Sequence, residues 1–380
     1  MQVISTEPVP IKLWLTAIEE GALKQARNLA RLPFVHKWIA IMPDTHLGYG
    51  MPIGGVLAAV DAIIPNAVGV DIGCGMAAVK TSHRKIDTDT VKRIMGKARQ
   101  AIPVGFHHHR GPQTWEGFDR APKLPIIQEE LASARNQLGT LGSGNHFIEL
   151  QEDEEGFLWI MLHSGSRNFG LNTANVYHRI AKALCERQRV ELPDRDLAYL
   201  PMDTDEGQAY FAAMSFCLDF AQASRDQMMQ ALIGIVNDAT GAKPLEQVSI
   251  HHNYAALETH YGKKVCVHRK GATRARAGER GIIPGSMGTR SYIVQGLGNP
   301  ESFHSCSHGA GRKMGRKDAT RRLSLKDELS KMTGIVHGLR NVSDLDEAPS
   351  AYKDIDEVMA NQHDLVEIVV RLRPLGSIKG

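Results

Sequence analysis

The run AVGVDIGCGM places Asp71 and Cys74 three residues apart, with glycines at 69, 73 and 75. A carboxylate and a thiolate in a loop without other bulky side chains can converge on one cation. A cysteine in such a setting can equally be a small buried residue. Four further runs carry histidine in comparable surroundings. GTLGSGNHFIEL offers Asn145, His146 and Glu149, and WIMLHSGSR delivers His163 from an apolar run to a Gly/Ser turn beside Arg167. VSIHHNY holds His251 and His252; on a strand these point to opposite faces, so at most one belongs to a site. In SCSHGAGRKMGR, His308 is followed by Gly309, Gly311, Arg312 and Arg316. Those glycines let a phosphate lie against backbone while the arginines neutralise it. His308 could there donate to phosphate, act as a general acid or attack phosphorus. GIIPGSMGTRS is a further Gly/Ser turn suited to phosphate or sugar. Each histidine taken singly can also be a capped core residue, and the triplet at 107–109 reads as an exposed loop.

Together these runs supply one aspartate, one cysteine and three histidines, enough for two metals that share the thiolate. Thiolate and imidazole donors favour zinc over manganese on softness alone. Charge adds phosphate chemistry. Residues 263–322 contain 14 Lys/Arg against Glu279, Glu301 and Asp318, a net +11 within a chain whose total is +3. Such a segment is either a solvated basic face or a polyphosphate or nucleic-acid site. Metal-assisted phosphoryl transfer is the reading that uses every cluster.

Positioning these residues requires strands that end in loops. Helical periodicity is expected near 11–30, at 87–102, 125–138 and 171–188, and over the long run 205–238. Short β-rich runs lie between them: GVLAAV, FLWIML, KKVCVHR, SYIVQGL and DLVEIVVRL. This mixture predicts an α+β fold in one catalytic domain spanning 1–380, with a helical insertion around 170–240. The length, 380 residues, can bury a large core, and 42% hydrophobic with 23% charged residues exclude a disordered chain. Five scattered cysteines without a CxxC pair exclude a disulfide scaffold and a zinc-finger-type site. The start MQVISTEPVP lacks a signal-peptide pattern and no apolar run reaches membrane-spanning length, so a cytoplasmic protein is expected.

The chain resembles the RtcB-type RNA ligases, which join RNA using GTP and manganese. The resemblance runs from MPDTHLGYG to Lys379-Gly380 through AVGVDIGCGM, LGSGNHFIEL, MLHSGSR, HHNY, RKGA, IIPGSMG, SCSHGAGR and AYKDIDEVM. It implies the family's α+β fold around mixed β-sheets. It also implies that His308 is the nucleophile forming a histidine–GMP intermediate, and that GMP then passes to an RNA 3′-phosphate. Attack by a 5′-hydroxyl would seal the strand, and a 2′,3′-cyclic phosphate would first be opened. Two Mn²⁺ are implied, with Cys74 bridging, Asp71 and His146 completing one site, and His163 and His252 the other.

By the same resemblance the guanylate pocket comprises Asn145, His146, Phe147, Ile148, Glu149, His252, Asn253, Pro284, Gly285, Ser286, Met287, Ser291, His308, Gly309, Ala310, Gly311 and Lys379. Glu149 would accept from the guanine edge and Tyr352 would stack on the base. Arg167, Lys270 and Arg316 would meet RNA phosphates. Asn168 stands where the family often has glycine, and Tyr49 where lysine is frequent. A monomer with RNA and GTP as its partners is expected, serving tRNA splicing or RNA repair. Alternatives are a dinuclear metallohydrolase with the same ligands and an RNA-binding protein with a structural metal.

Overall fold

Apolar residues at successive positions, not alternate ones, mark most of the strands, and two sheets bury both of their faces as a result. The computed structural model describes residues 1–380. One sheet has six strands in the order Gln2–Ile4, Ile11–Leu13, Val35–Tyr49, Met51–Ala59, Lys263–Lys270 and Asn253–His260. The other has seven: Pro244–His251, Gly75–Arg84, Phe157–Ser164, Phe147–Asp153, Val366–Lys379, Ser291–Gly296 and Arg280–Ile283. Strand pairing is antiparallel in both, except between Ile11–Leu13 and Val35–Tyr49. Helices pack on the sheets and do not alternate with parallel strands, so the fold is α+β.

In the seven-stranded sheet the two-residue period sorts the core. Ala77, Val79, Ile160, Leu162 and Ile148 share one cluster with Met228 and Leu232 of the long helix, while Met76, Ala78, Trp159, Met161 and Phe147 form another on the opposite face. The six-stranded sheet divides likewise, with Ile39, Ile41 and Leu57 against Ala26 and Leu29 of the helix Glu20–Ala30. Most helical expectations are met, at Thr88–Ala101, Pro125–Gln137, Arg167–Arg187 and Asp205–Thr240. The stretch near 11–30 is a correction. Only Glu20–Ala30 is helical, and Ile11–Leu13 is a strand paired to Ile39–Ile41. Cross-strand pairing with Ile39–Ile41 and Gln2–Ile4 takes the apolar residues there instead.

The helix Asp205–Thr240 joins the two layers of packing. Thr204 caps its start by accepting from the Gly207 N–H, and Gly241, at φ 71°, ends it in the left-handed conformation. Its first half packs Tyr210, Met214 and Phe220 into one core, its second half Met229 and Val236 into another. Between them Arg225 is wholly buried. Its guanidinium donates to the Gly73 and Ser164 carbonyls, both at 2.9 Å, and to His251 Nδ1 at 3.0 Å. Three neighbouring strand ends of the seven-stranded sheet are thereby tied to one side chain.

The basic stretch 263–322 is only in part an open cationic face: Lys263, Lys264, Arg290, Lys313, Lys317 and Arg322 are exposed, while others of its cations are paired. Arg269 is buried against Glu258, Arg274 pairs with Glu279, and Arg280 lies 3.9 Å from Glu246. Arg312 and Arg316 both reach Glu347, each at 3.0 Å. The balancing carboxylates come largely from outside the counted stretch, which is why counting along the chain overstated the local charge.

Replacing Arg225 by methionine keeps the apolar stem and removes four hydrogen bonds, the fourth to Gln222 Oε1. At about 1–3 kcal/mol for each buried group left unpaired, the variant should lose about 3 kcal/mol or more. Urea unfolding reads this directly, and an unchanged midpoint would show that Arg225 does not tie the strand ends.

Candidate metal and nucleotide site

Five strand ends meet at one edge of the seven-stranded sheet. The register pairs His251 with Gly75, Gly75 with Ser164, His163 with Phe147, and Phe147 with Lys379. Cys74 therefore precedes one strand, His146 precedes another, and His163 is the penultimate residue of a third. His252 is the single residue between Pro244–His251 and Asn253–His260, where the chain leaves the seven-stranded sheet for the six-stranded one. The strand-period expectation for the histidine pair is met. His252 turns to Cys74 and His163, while His251 turns to Arg225 and the Gly73 carbonyl.

Cys74 is the common member of two donor trios. Cys74, His163 and His252 form one, Asp71, Cys74 and His146 the other, and the donor atoms of each lie within 4.8 Å of one another. Cys74 Sγ stands 3.2 Å from His163 Nε2 and 3.4 Å from His146 Nε2. His163 Nε2 is also 3.2 Å from His252 Nε2. His163 Nδ1 faces the Asn145 carbonyl at 3.2 Å; a carbonyl only accepts, so Nδ1 carries the hydrogen and Nε2 the lone pair. Burial holds both His163 and His252 well below the usual imidazole range, so both are neutral. Burial, with Asp71 alongside, pushes the Cys74 thiol up. Buried lone pairs converging on a thiol fit a soft or borderline divalent cation.

The second trio is closed by an internal hydrogen bond, since Asp71 Oδ2 lies 3.0 Å from His146 Nε2. Burial pushes the Asp71 carboxyl up, but the hydrogen bond from His146 and the nearby Arg167 guanidinium outweigh it and hold it at about 2. Arg167 donates to His146 Nδ1 at 3.1 Å, so Nε2 carries the hydrogen given to Asp71. Arg167 sits at φ 60°, the left-handed region that costs a side-chain-bearing residue about 1–3 kcal/mol. A cation bound by this trio takes the place of that proton, and the guanidinium must release Nδ1.

His308 stands beside the first trio, its ring centroid 4.9 Å from that of His252. Its Nδ1 is 2.6 Å from Oδ2 of Asp44, a carboxylate with no exposure to solvent. The same oxygen accepts the backbone N–H groups of His308 at 3.0 Å and Gly309 at 3.3 Å. A carboxylate acceptor fixes the hydrogen on Nδ1 and leaves the Nε2 lone pair free. Gly271, at φ 60°, packs so closely that an added Cβ would lie 3.1 Å from His308 Cε1.

A cavity of about 260 Å³, lined by Gly144, Glu347 and Ser377 among others, takes in only Met287 and Lys379 of the expected guanylate pocket. Glu149 is buried behind it; Gln151 donates to Glu149 at 2.8 Å and to Ser291 Oγ at 3.0 Å, and the Gly285 N–H reaches the same Oγ at 3.3 Å. The Lys379 ammonium lies 5.0 Å over the Phe147 ring. Ser286 closes a turn with Thr289, and Ala310 N–H donates to Pro284 at 3.0 Å. Asn253 bridges two loops, donating to the Asp71 carbonyl at 3.2 Å and accepting from Gly271 at 2.8 Å. Of the run Asn145–Glu149, Ile148 alone sends its side chain to the helix-covered face, as strand alternation requires.

A profile of the family described as tRNA-splicing ligase RtcB matches residues 25–124 and 116–380. The chain belongs to the RtcB family. It is 40% identical to the RNA-splicing ligase RtcB of Escherichia coli K12, over 100% of this chain and 99% of that protein. Identity to the tRNA-splicing ligase RtcB of Thermococcus kodakarensis is 35%, covering 95% of this chain and 92% of the relative. The RNA-splicing ligase RtcB of Mycobacterium tuberculosis is 34% identical over 94% of this chain and its own full length.

Three expected RNA contacts fare differently within this RtcB-family site. Arg167 lies on His146, and Arg316 is held by Glu347 with its guanidinium against Gly144. Lys270 is buried, donating to the Tyr49 carbonyl at 2.7 Å and the Asn66 carbonyl at 2.8 Å, and burial pushes its amine down to about 7. It braces two loops and offers no cation to a strand outside. Tyr352 gives its hydroxyl to Glu347 and has the Arg312 guanidinium 5.2 Å from its ring, which covers one face. Sequence reading did not assign Asp44, Arg225, Gln151 or Glu347. None of the four carried a signal within its own run. No helix is long and apolar enough to cross a membrane.

Cys74→Ala removes the donor common to both trios. Metal analysis after reconstitution and dialysis should show loss of cation from both positions, whereas His252→Ala should lower the content by about half. Unaltered metal content in the Cys74 variant would refute the shared-thiolate arrangement.

Proposed function

We propose that this chain is an RNA ligase that joins 3′-phosphate or 2′,3′-cyclic phosphate ends to 5′-hydroxyl ends, using GTP. The observation that carries the reading is His308, with Nδ1 held by a buried carboxylate and its ring against a cluster suited to divalent cations. A histidine so tethered has one nitrogen fixed as donor and the other free to attack phosphorus.

His308 Nε2 attacks the α-phosphate of GTP; a P–N bond forms and the bond to pyrophosphate breaks. The ring gains positive character, and Asp44 offsets it through Nδ1–H. GMP then moves to the oxygen of the RNA 3′-phosphate, which restores the neutral imidazole. Attack of the 5′-hydroxyl on the activated phosphate forms the phosphodiester and releases GMP. A cyclic phosphate end is opened to the 3′-phosphate beforehand.

Asp71, Cys74, His146, His163 and His252 would hold two divalent cations, proposed to be manganese. When bound, these supply Lewis-acid polarisation of phosphoryl oxygens. Softness of the donors alone favours zinc, so manganese follows family membership. Glu149, Ser291, Met287 and Lys379 would enclose the guanine, with Glu149 accepting from its N–H edge. The remaining pocket residues, Asn145 to Phe147, Asn253, Pro284 to Ser286 and Gly309 to Gly311, would contribute backbone and positioning contacts. Relatives named RNA-splicing or tRNA-splicing ligases support RNA as substrate. The chain is proposed to act in the cytoplasm as a monomer.

Incubation with Mn²⁺ and GTP labelled at the α-phosphate should radiolabel the protein by a bond that is acid-labile and alkali-stable. His308→Ala should abolish the label. An unlabelled wild type, or equal labelling of the variant, would exclude the covalent mechanism and favour a metallohydrolase. Asp44→Asn keeps shape and folding but removes the charge opposite Nδ1, so the labelling rate should fall by about a hundredfold or more. A rate within threefold of wild type would show that Asp44 does not position the nucleophile.

A further inference from the structure

The large apolar side chain with the greatest exposure is Phe106, at 89%. Such a phenyl ring contributes nothing to the core, yet the chain around it is firmly placed. Val104 to His107 form a tight turn closed by a 3.2 Å hydrogen bond from the His107 N–H to the Val104 carbonyl. Gly105 supplies φ 65° at its second position and Phe106 occupies the third, at the tip. The turn is fastened to the segment that leads into the site. Leu141 donates to the Pro103 carbonyl at 3.0 Å, Gly105 donates to the Gly142 carbonyl at 2.7 Å, and Val104 bridges Gly142 in parallel. His109 adds 3.0 Å and 3.2 Å contacts to Asn136 and Gly139.

Gly142 is also where the Arg167 guanidinium rests, and Arg167 reaches His146. From the exposed ring to a candidate metal ligand the path is therefore one turn, one glycine and one arginine. The sequence flanking the ring is basic. Residues 90–115 contain Lys92, Arg93, Lys97, Arg99 and Arg110, three histidines and no acid. Of these, Lys92 pairs with Asp89, while Arg99 lines the cavity beside Lys379. An exposed aromatic on a rigid turn within a cationic, acid-free stretch is the combination that binds unpaired nucleic acid, the ring taking a base and the cations the backbone.

We propose that Phe106 is a stacking platform for an unpaired nucleobase of the RNA strand whose end enters the metal centre. The proposal rests on the RNA-ligase reading above. Its role is to position the strand; the chemistry at His308 does not use it. Loss of one base stack corresponds to about a tenfold change in affinity.

The test uses a fluorescein-labelled single-stranded RNA oligonucleotide with a 3′-phosphate, and the full chain carrying His308→Ala so that no reaction intervenes. Adding Phe106→Ala should weaken binding about tenfold, Phe106→Trp should retain it, and Phe106→Leu should resemble alanine. A 5-iodouridine placed near the 3′ end should crosslink to the peptide that holds residue 106. A change below twofold, or leucine equal to phenylalanine, would overturn the platform and leave the exposed ring to a protein contact. Radiolabelling by GTP separates the two readings. An unlabelled wild type refutes the ligase mechanism, whereas a Phe106→Ala chain that labels normally and binds RNA undiminished refutes only the platform.

Discussion

A single guanidinium in the interior holds the edge of the sheet on which everything else depends. Arg225 spans the carbonyls of Gly73 and Ser164 and the ring of His251, so three strand ends that would otherwise splay are drawn to a common point. A buried arginine is costly unless its donors are satisfied, and here burial lowers its pKa to about 10 without neutralising it. The spacing of Cys74, His163 and His252 follows from that anchorage, because each stands within one residue of a tied group. The long helix is thus less a covering for the sheet than a means of delivering one charge to its rim.

Much of this was legible in the chain before any coordinates. Strand alternation separated His252 from His251, and glycine-rich loops identified Cys74, His146, His163 and His308 as residues that a ligand could approach. The four α-helices between residues 88 and 240 followed from apolar spacing, whereas the short ones at Arg316–Arg322, Leu325–Lys331 and Ile355–Ala360 did not. What could not be read was chemistry created by distant contact. Asp44 matters because it meets His308 from 264 positions away, and nothing within its own run says so. Arg225 lies mid-helix, at the turn between two apolar stretches, where an arginine ordinarily faces water.

The basic stretch shows the same limit from the other side. Its charges were counted correctly but their partners were not visible, since Glu246, Glu258 and Glu347 fold in from elsewhere. Lys270 went from a surface cation to an internal brace for the same reason. Charge density along a sequence measures supply; whether a phosphate can use it depends on which carboxylates the fold brings near.

His252 is the single residue at which the chain passes directly from a strand of the seven-stranded sheet to a strand of the six-stranded one. Its imidazole belongs with donors anchored in the first sheet, while the strand that follows it belongs to the second. Any cation gripping both His163 and His252 therefore acts as a rivet across the seam. Sliding of one sheet over the other would stretch the coordination before it disturbed either core, and loss of the ion would free the two layers to drift. The ion would then be a part of the architecture as much as of the chemistry.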